Sequence, residues 1–382
     1  MKRMRLTIMV IGLTILALAA QAQWEPAKRL TYTAGESYRP RIAVDSGGYV
    51  YLVWFDYTPG DSELYFRKST DGGGAWSATK RLTWTSGNSQ RPAIAVDDPP
   101  IVHLAWNDYA PGNSAIYYMK STNGGATWSA RKRLTWTSGD SGGSAIAVDP
   151  SGYVYVFWHD ATPGAAEIYY RKSTDGGTNW SASTRLTWNS GESEWAKVAV
   201  DSSGVLHVAW EDSTPGNYDI LYKKSTDGGA TWSTSRNLSA NPAESSHPDV
   251  VAGPSSAFHV VWEDTATGNS DIYYLRSTDG GGAWSTAKRL TWNAGESSGP
   301  DITVDASGRL HLVWGDYTPG DSEIFYKKST DGGATWVPAE RLTWNSGNSW
   351  APDIAVFGSD NIHVVWYDDT PGNLAVYYIR QK

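Results

Sequence analysis

Residues Arg309–Asp316, RLHLVWGD, alternate polar and apolar side chains, the period of a β-strand with one buried face. The neighbouring segments give three more strands. Asp301–Val304 is a short apolar strand A, and Arg309–Asp316 is strand B. Glu323–Lys328, EIFYKK, is strand C, and Trp336–Trp344, WVPAERLTW, is strand D. Asp305-Ala306-Ser307-Gly308, the TPGD of Thr318–Asp321 and the STDGGATW of Ser329–Trp336 supply the turns between them. No part of this unit has helical periodicity or helix caps.

The same pattern returns along the whole chain. One tryptophan column reads Trp24, Trp76, Trp128, Trp180, Trp232, Trp284 and Trp336, and a second reads Trp54, Trp106, Trp158, Trp210, Trp262, Trp314 and Trp366. Each has seven members, 52 residues apart. Seven units of four short antiparallel strands predict an all-β, seven-bladed β-propeller as a single domain over residues 23–382. The STDGGATW-type turn occurs only six times, ending at Trp76, Trp128, Trp180, Trp232, Trp284 and Trp336. Residues 24–31, WEPAKRLT, align with strand D at Trp336–Thr343, whereas Val376–Arg380 aligns with strand C. The N-terminal strand is therefore expected to close the last blade beside the C-terminal one, which hides two sheet edges.

Composition adds location and excludes some partners. MKRMR, the apolar run LTIMVIGLTILALAA and Ala20-Gln21-Ala22 have the layout of a secretory signal peptide, residues 1–22, with cleavage near Ala22. An uncleaved anchor is the other reading of that run, which is short for a membrane span. Removing Lys2, Arg3 and Arg5 takes the net charge from −8 to −11, which disfavours nucleic acid and anionic membranes. With no cysteine, an exported chain must rely on its core rather than on disulfides. The expected product is a secreted or periplasmic monomer with no cofactor and no metal.

Within the turn, the aspartate can accept N–H groups of its own loop, the glycines permit positive φ, and the tryptophan can bury its ring between sheets. A calcium loop is the competing reading, but each copy offers one carboxylate where such loops use several. S-T-D-G-G-x-x-W resembles the Asp box, or BNR repeat, of the sialidase superfamily and related propellers. The resemblance covers nearly all of the chain after residue 22. It implies a secreted propeller acting on glycans, with Asp71, Asn123, Asp175, Asp227, Asp279 and Asp331 as structural box positions away from the active site. Sialidases usually have six blades, an arginine triad, a Tyr–Glu nucleophile pair and an Asp acid/base. Their Phe/Tyr-Arg-Ile-Pro motif is approached by Tyr38-Arg39-Pro40-Arg41, which lacks the intervening residue. A seven-bladed lectin or a non-catalytic surface propeller is resembled equally well.

Antiparallel alternation places the D–A and B–C loops on one face, the expected ligand face. What every unit shares is expected to build the blade, and what differs is open to function. By that sorting a third tryptophan column, Trp84, Trp136, Trp188, Trp292 and Trp344, falls to the framework, as do His103, His207, His259, His311 and His363. Asp56 and its equivalents read as turn caps. Only Trp195 and Trp350 stand outside the three tryptophan columns; they are assigned to D–A loops as sugar-stacking platforms, or else as fillers of local gaps. The most varied column ends strand B: Phe55, Asn107, His159, Glu211, Glu263, Gly315 and Tyr367. Arg39, Arg41 and Arg91 could clamp a carboxylate, with ordinary surface ion pairing as the alternative. Glu194, Glu211 and Glu263 with Tyr367 or Tyr38 supply the residue types of a glycosidase. The leading expectation is glycan or other extracellular ligand binding by Trp195, Trp350, Arg39, Arg41, Arg91, Phe55, His159, Glu194 and Tyr367. A sialidase-like hydrolase using Tyr367, Glu211 and Glu263, and a protein-binding scaffold, remain open.

Overall fold

The structure, a computed structural model, describes residues 23–382 apart from 163 and 215, so the expected leader at residues 1–22 lies outside the described residues. Seven four-stranded antiparallel sheets form the blades of a propeller. The first blade comprises Ser37–Val44, Val50–Asp56, Glu63–Ser69 and Lys80–Arg81, strands A to D in chain order. The seventh takes strands A to C from Ser349–Phe357, Asn361–Asp368 and Ala375–Gln381, and strand D from Lys28–Arg29. Lys28 lies opposite Tyr378 and Arg29 opposite Tyr377, as the alignment of the chain ends predicts. Around this seam, Glu25 pairs with Arg380 at 2.8 Å and Leu30 N–H donates to the Val376 carbonyl at 2.7 Å.

The core lies between blades. Tyr155 and Phe157 of one sheet pack with Val208 and Trp210 of the next, and this arrangement recurs around the ring. The strand-B tryptophans are fully buried, and all but Trp210, which faces Leu221, stack on strand-C aromatics, as Trp54 does on Tyr65 at 5.9 Å. Truncating one to alanine costs about 3–5 kcal/mol. The strand-B histidines are framework too: His207 Nδ1 and Tyr222 Oη lie 2.7 Å apart in the interior. Asp56 and its equivalents cap turns, its Oδ1 accepting the Thr58 N–H at 2.8 Å and its Oδ2 the Ser37 hydroxyl at 2.6 Å.

At the C–D turn, Asp227 accepts the Ser225 hydroxyl at 2.7 Å and the Thr231 N–H at 2.9 Å, while Ser225 Oγ accepts the Gly229 N–H at 2.8 Å. The tryptophan that follows meets an aromatic of the preceding blade edge to face, as Trp180 meets Tyr118 at 4.8 Å.

Three expectations need correction. Strand D pairs over two residues rather than nine, because Ser77 Oγ takes the Lys68 N–H and the chain then leaves the ladder. Strand A is longer than expected, Ser297–Val304 in the sixth blade, because a bulge interrupts its pattern. The third tryptophan column is not packed into the blades: its five rings are between 62 % and 76 % exposed.

Candidate functional site

In the first blade Tyr38 lies opposite Phe55 and Arg41 opposite Val53, so strand A carries one extra residue. Every sheet has this bulge at the equivalent place. The extra positions are Arg39, Arg91, Gly143, Trp195, His247, Gly299 and Ala351, all with φ between 44° and 61°. This left-handed region suits glycine, and holding another residue there costs about 1–3 kcal/mol. Five of the seven nevertheless carry a side chain. In five blades the next residue is proline, such as Pro40 or Pro248, which has no N–H to lose where the ladder is broken. The preceding blade can satisfy the bulge amide: His247 N–H donates to Glu211 Oε2 at 3.0 Å, and Gly299 N–H to Glu263 Oε1 at 2.6 Å.

The bulges ring the mouth of the central channel and surround a cavity of about 510 Å³. Its upper wall includes Arg39, Arg91, Trp195, His247, Glu263, Trp350 and Tyr367. One arc is aromatic. Trp350 lies 5.5 Å from Tyr367, Tyr367 lies 5.5 Å from Tyr38, and Tyr38 stacks on buried Phe55 at 5.4 Å. Trp350 Nε1 donates to the Tyr317 hydroxyl at 3.0 Å, which fixes the indole. Across the mouth, the Arg91 guanidinium sits 4.5 Å from the Trp195 ring centre, with His159 edge-on to the same ring at 5.3 Å. The opposite arc is acidic: Glu263 pairs with His247 at 3.3 Å, and Glu194 approaches His159 at 3.7 Å.

Charge at the mouth follows from these neighbours. The walls of the mouth, then the positive charges of Arg91 and Arg41, lower the pKa of Arg39. Desolvation lowers that of Arg91 as well. The hydrogen bond to Glu263 outweighs burial and raises His247. Burial raises Glu211 and, with Glu192 and Glu211 nearby, also Glu194. Burial and the charge of Arg91 bring His159 down to about 4, so its ring is neutral at neutral pH. Burial raises the Tyr367 phenol, which stays protonated.

Two residues below the bulge, a second ring forms the floor: Arg41, Ala93, Ala145, Lys197, Asp249, Asp301 and Asp353. Arg41 pairs with Asp353 at 2.5 Å and Lys197 with Asp249 at 3.0 Å. The three aspartates also tie adjacent blades, accepting the N–H groups of Ile302, Ile354 and Ile42 at 2.9, 2.9 and 2.6 Å. Burial and its two acidic neighbours push Asp301 well above the usual carboxylate range. Among the described residues no cluster of acidic or histidine side chains has the arrangement of a metal site.

The cavity thus unites Arg39, Arg91, Trp195, Trp350, Tyr367 and Glu263. Arg41 lies deeper, committed to Asp353. Phe55, His159, Glu194 and Glu211 stand behind the wall and support it. Trp195 and Trp350 belong to strand A rather than to the loop before it, at the bulge and one residue ahead of it. His247 was missed as a site residue, although 52-residue spacing sets it in register with Arg39, Arg91 and Trp195.

No family model matches the chain. It is 25 % identical over 310 residues to a sialidase of Bacteroides fragilis, covering 69 % of this chain and 55 % of that protein, so it spans about half the length of the curated relative it matches. An ulvan lyase solved bound to -[GlcA(1-4)Rha3S]- superposes with a TM-score of 0.69 at 11 % identity, covering 91 % of this chain and 95 % of that one. The intramolecular trans-sialidase of Ruminococcus gnavus superposes with a TM-score of 0.54 at 14 % identity, over 93 % and 97 %. The propeller fold is common to this chain and these structures.

Proposed function

We propose that the chain binds an acidic glycan at the channel mouth. One observation carries this reading: Arg39 and Arg91 reach the cavity beside Trp195, Trp350 and Tyr367, and neither guanidinium is in a salt bridge among the described residues. A carboxylate or sulfate would supply the missing charge through paired N–H donors, and the aromatic rings would take sugar C–H faces. The sialidase and ulvan-lyase likenesses are in keeping with a carbohydrate ligand, and an exported location after loss of residues 1–22 would bring the chain to such polymers.

Calorimetric titration with 3′-sialyllactose and a glucuronate-containing oligosaccharide, with lactose as neutral control, tests the reading. The acidic sugars should bind and lactose should not. Arg39→Ala and Arg91→Ala should each weaken binding at least tenfold, about 1.4 kcal/mol, with the melting temperature retained. Equal binding of lactose, or acidic-sugar binding indifferent to both variants, would end the proposal.

A hydrolase is the second reading, favoured by the carboxylates opposite the arginines. Glu211 and Glu263 are already engaged with bulge amides, and among the described residues no hydrogen bond joins either to Tyr367. Turnover of a fluorogenic sialoside, lost in Glu263→Gln, would move the assignment to catalysis.

A further inference from the structure

The column set aside as framework is the most exposed aromatic feature of the molecule. Tyr32, Trp84, Trp136, Trp188, Trp292 and Trp344 occupy the same position in six of the seven D–A loops, and all are at least 62 % exposed. The other two repeated tryptophan columns are buried or packed against a neighbouring blade. Lone exposed aromatics need no explanation, but the same exposed ring in six loops does.

Each ring lies beside a cation without being buried, Arg29 standing 4.9 Å from the centre of Tyr32. The Arg81 guanidinium lies 5.5 Å from the Trp84 ring centre, Arg185 lies 5.7 Å from Trp188, and Arg341 lies 4.2 Å from Trp344. These arginines are themselves pinned: Arg81 donates to Glu63 Oε1 at 2.8 Å and, through Nε, to the Thr83 carbonyl at 2.7 Å. Trp136 and Trp292 lie instead against Arg171 and Lys327 of the following blade. A cation thus covers one face of each ring while the other is left to solvent, so binding there would order little that is not already ordered.

The loops also carry polar groups. Four residues after the aromatic stands an exposed acid in four of these six loops, for example Asp140 after Trp136 and Glu192 after Trp188, and Asn88 or Asn348 in the other two. An anionic lipid surface or a nucleic acid would be repelled by such acids, whereas sugar hydroxyls can donate to them. The D–A loops open on the same face as the cavity, farther from the axis.

We propose that this face carries a second, multivalent carbohydrate site: six aromatic platforms that take pyranose units of a hydroxyl-rich neutral polysaccharide. Each platform is weak alone, and several engaged by one polymer multiply through effective concentration. The inference does not depend on what the central cavity binds.

Native gels cast with hydroxyethyl cellulose, xylan or yeast mannan test it. At least one polymer should retard the full chain and shift its indole emission to shorter wavelength. The variant carrying Trp→Ala at 84, 136, 188, 292 and 344 should run as though no polymer were present. Trp84→Ala with Trp344→Ala should give intermediate retardation, and Trp→Tyr at all five positions should retain most of it. Arg39→Ala should leave retardation intact, which separates this ring from the acidic-glycan cavity. The proposal fails if none of the three polymers retards the chain, or if removing the five rings leaves retardation unchanged. It also fails if phosphatidylcholine vesicles bind the chain while the polymers do not, since the ring would then be a membrane-interface belt. Should the five-alanine variant misfold, the double variant and the emission shift of the unaltered chain decide.

Discussion

The C–D turns and the strand-A bulges lie at opposite edges of the same blades, and both force the backbone into the left-handed region. At the turn the glycines hold it, as Gly176 and Gly177 do with φ of 62° and 83°. Side chains fix the conformation there, Ser173 and Asp175 bonding to each other and to the loop amides. The letters are therefore repeated nearly unchanged. At the bulge the conformation is set by pairing with strand B and by groups of the preceding blade, so the bulge side chain is not needed to make it. That position holds arginine, tryptophan, histidine, alanine or glycine on one backbone. A repeat protein can vary its chemistry where the backbone alone carries the geometry.

The seventh blade tests the first half of this contrast, because its C and D strands are joined by no turn. Deleting Gln23–Thr31 would remove Leu30 from the core and Trp24 from its edge-to-face contact with Tyr326 at 5.1 Å. A loss of at least about 5 kcal/mol is expected, read as a collapse of the melting temperature. An unchanged melt would mean that six blades hold the ring without the closing strand. Gly177→Ala is the next largest. A Cβ there would lie 1.8 Å from the Tyr118 hydroxyl, at a left-handed φ. Strain and overlap together should cost roughly 2–4 kcal/mol in denaturant unfolding.

This division explains what the sequence disclosed. Seven blades, the closing strand, the framework histidines and the aspartate turn caps all rest on side chains repeated at fixed spacing, and spacing is visible in letters. The bulge was invisible because register and φ have no letter of their own. Arg39, Arg91 and Trp195 were singled out for their chemistry, not as one column, and His247 was left out. The third tryptophan column failed for a different reason. Repetition marks whatever every blade retains, and an exposed platform can be retained as readily as a buried wedge.

Titration separates the two edges as well. Burial brings His207, His259, His311 and His363, near the turn edge, down to about 4. The folded state prefers each of them neutral. The stability they contribute is present above an unfolded pKa near 6.5 and is lost as pH falls from there towards 4. A loss on the order of 2 kcal/mol per histidine is expected over that window, and melting temperatures between pH 7 and 4 would reveal it. His247 at the mouth moves the other way, held up by Glu263. Its small contribution, reduced by solvent, is present below 6.5 and fades as pH rises through its elevated pKa. Acidic-glycan binding should therefore strengthen from pH 8 to 6 and lose that dependence in His247→Ala. A flat binding profile in the unaltered chain would exclude His247 from the site.

The smallest effect is the most discriminating. Ala351 occupies the bulge of the seventh blade with φ of 44°, immediately before Pro352. Its methyl group gives the cavity little to bind with, so Ala351→Gly changes almost nothing except backbone preference. Relief of the left-handed strain favours glycine by about 1–2 kcal/mol, and the greater freedom of glycine in the unfolded chain takes back about 0.4–1. Stability should therefore rise slightly, by no more than about 1.6 kcal/mol, with acidic-glycan binding unchanged. At the turn glycine is favoured over alanine as well, but by the larger margin of roughly 2–4 kcal/mol, because a methyl group there also meets Tyr118. If Ala351→Gly destabilises the protein instead, the bulge geometry depends on its side chain after all, and the varied residues around the mouth lose their claim to have been freed for binding.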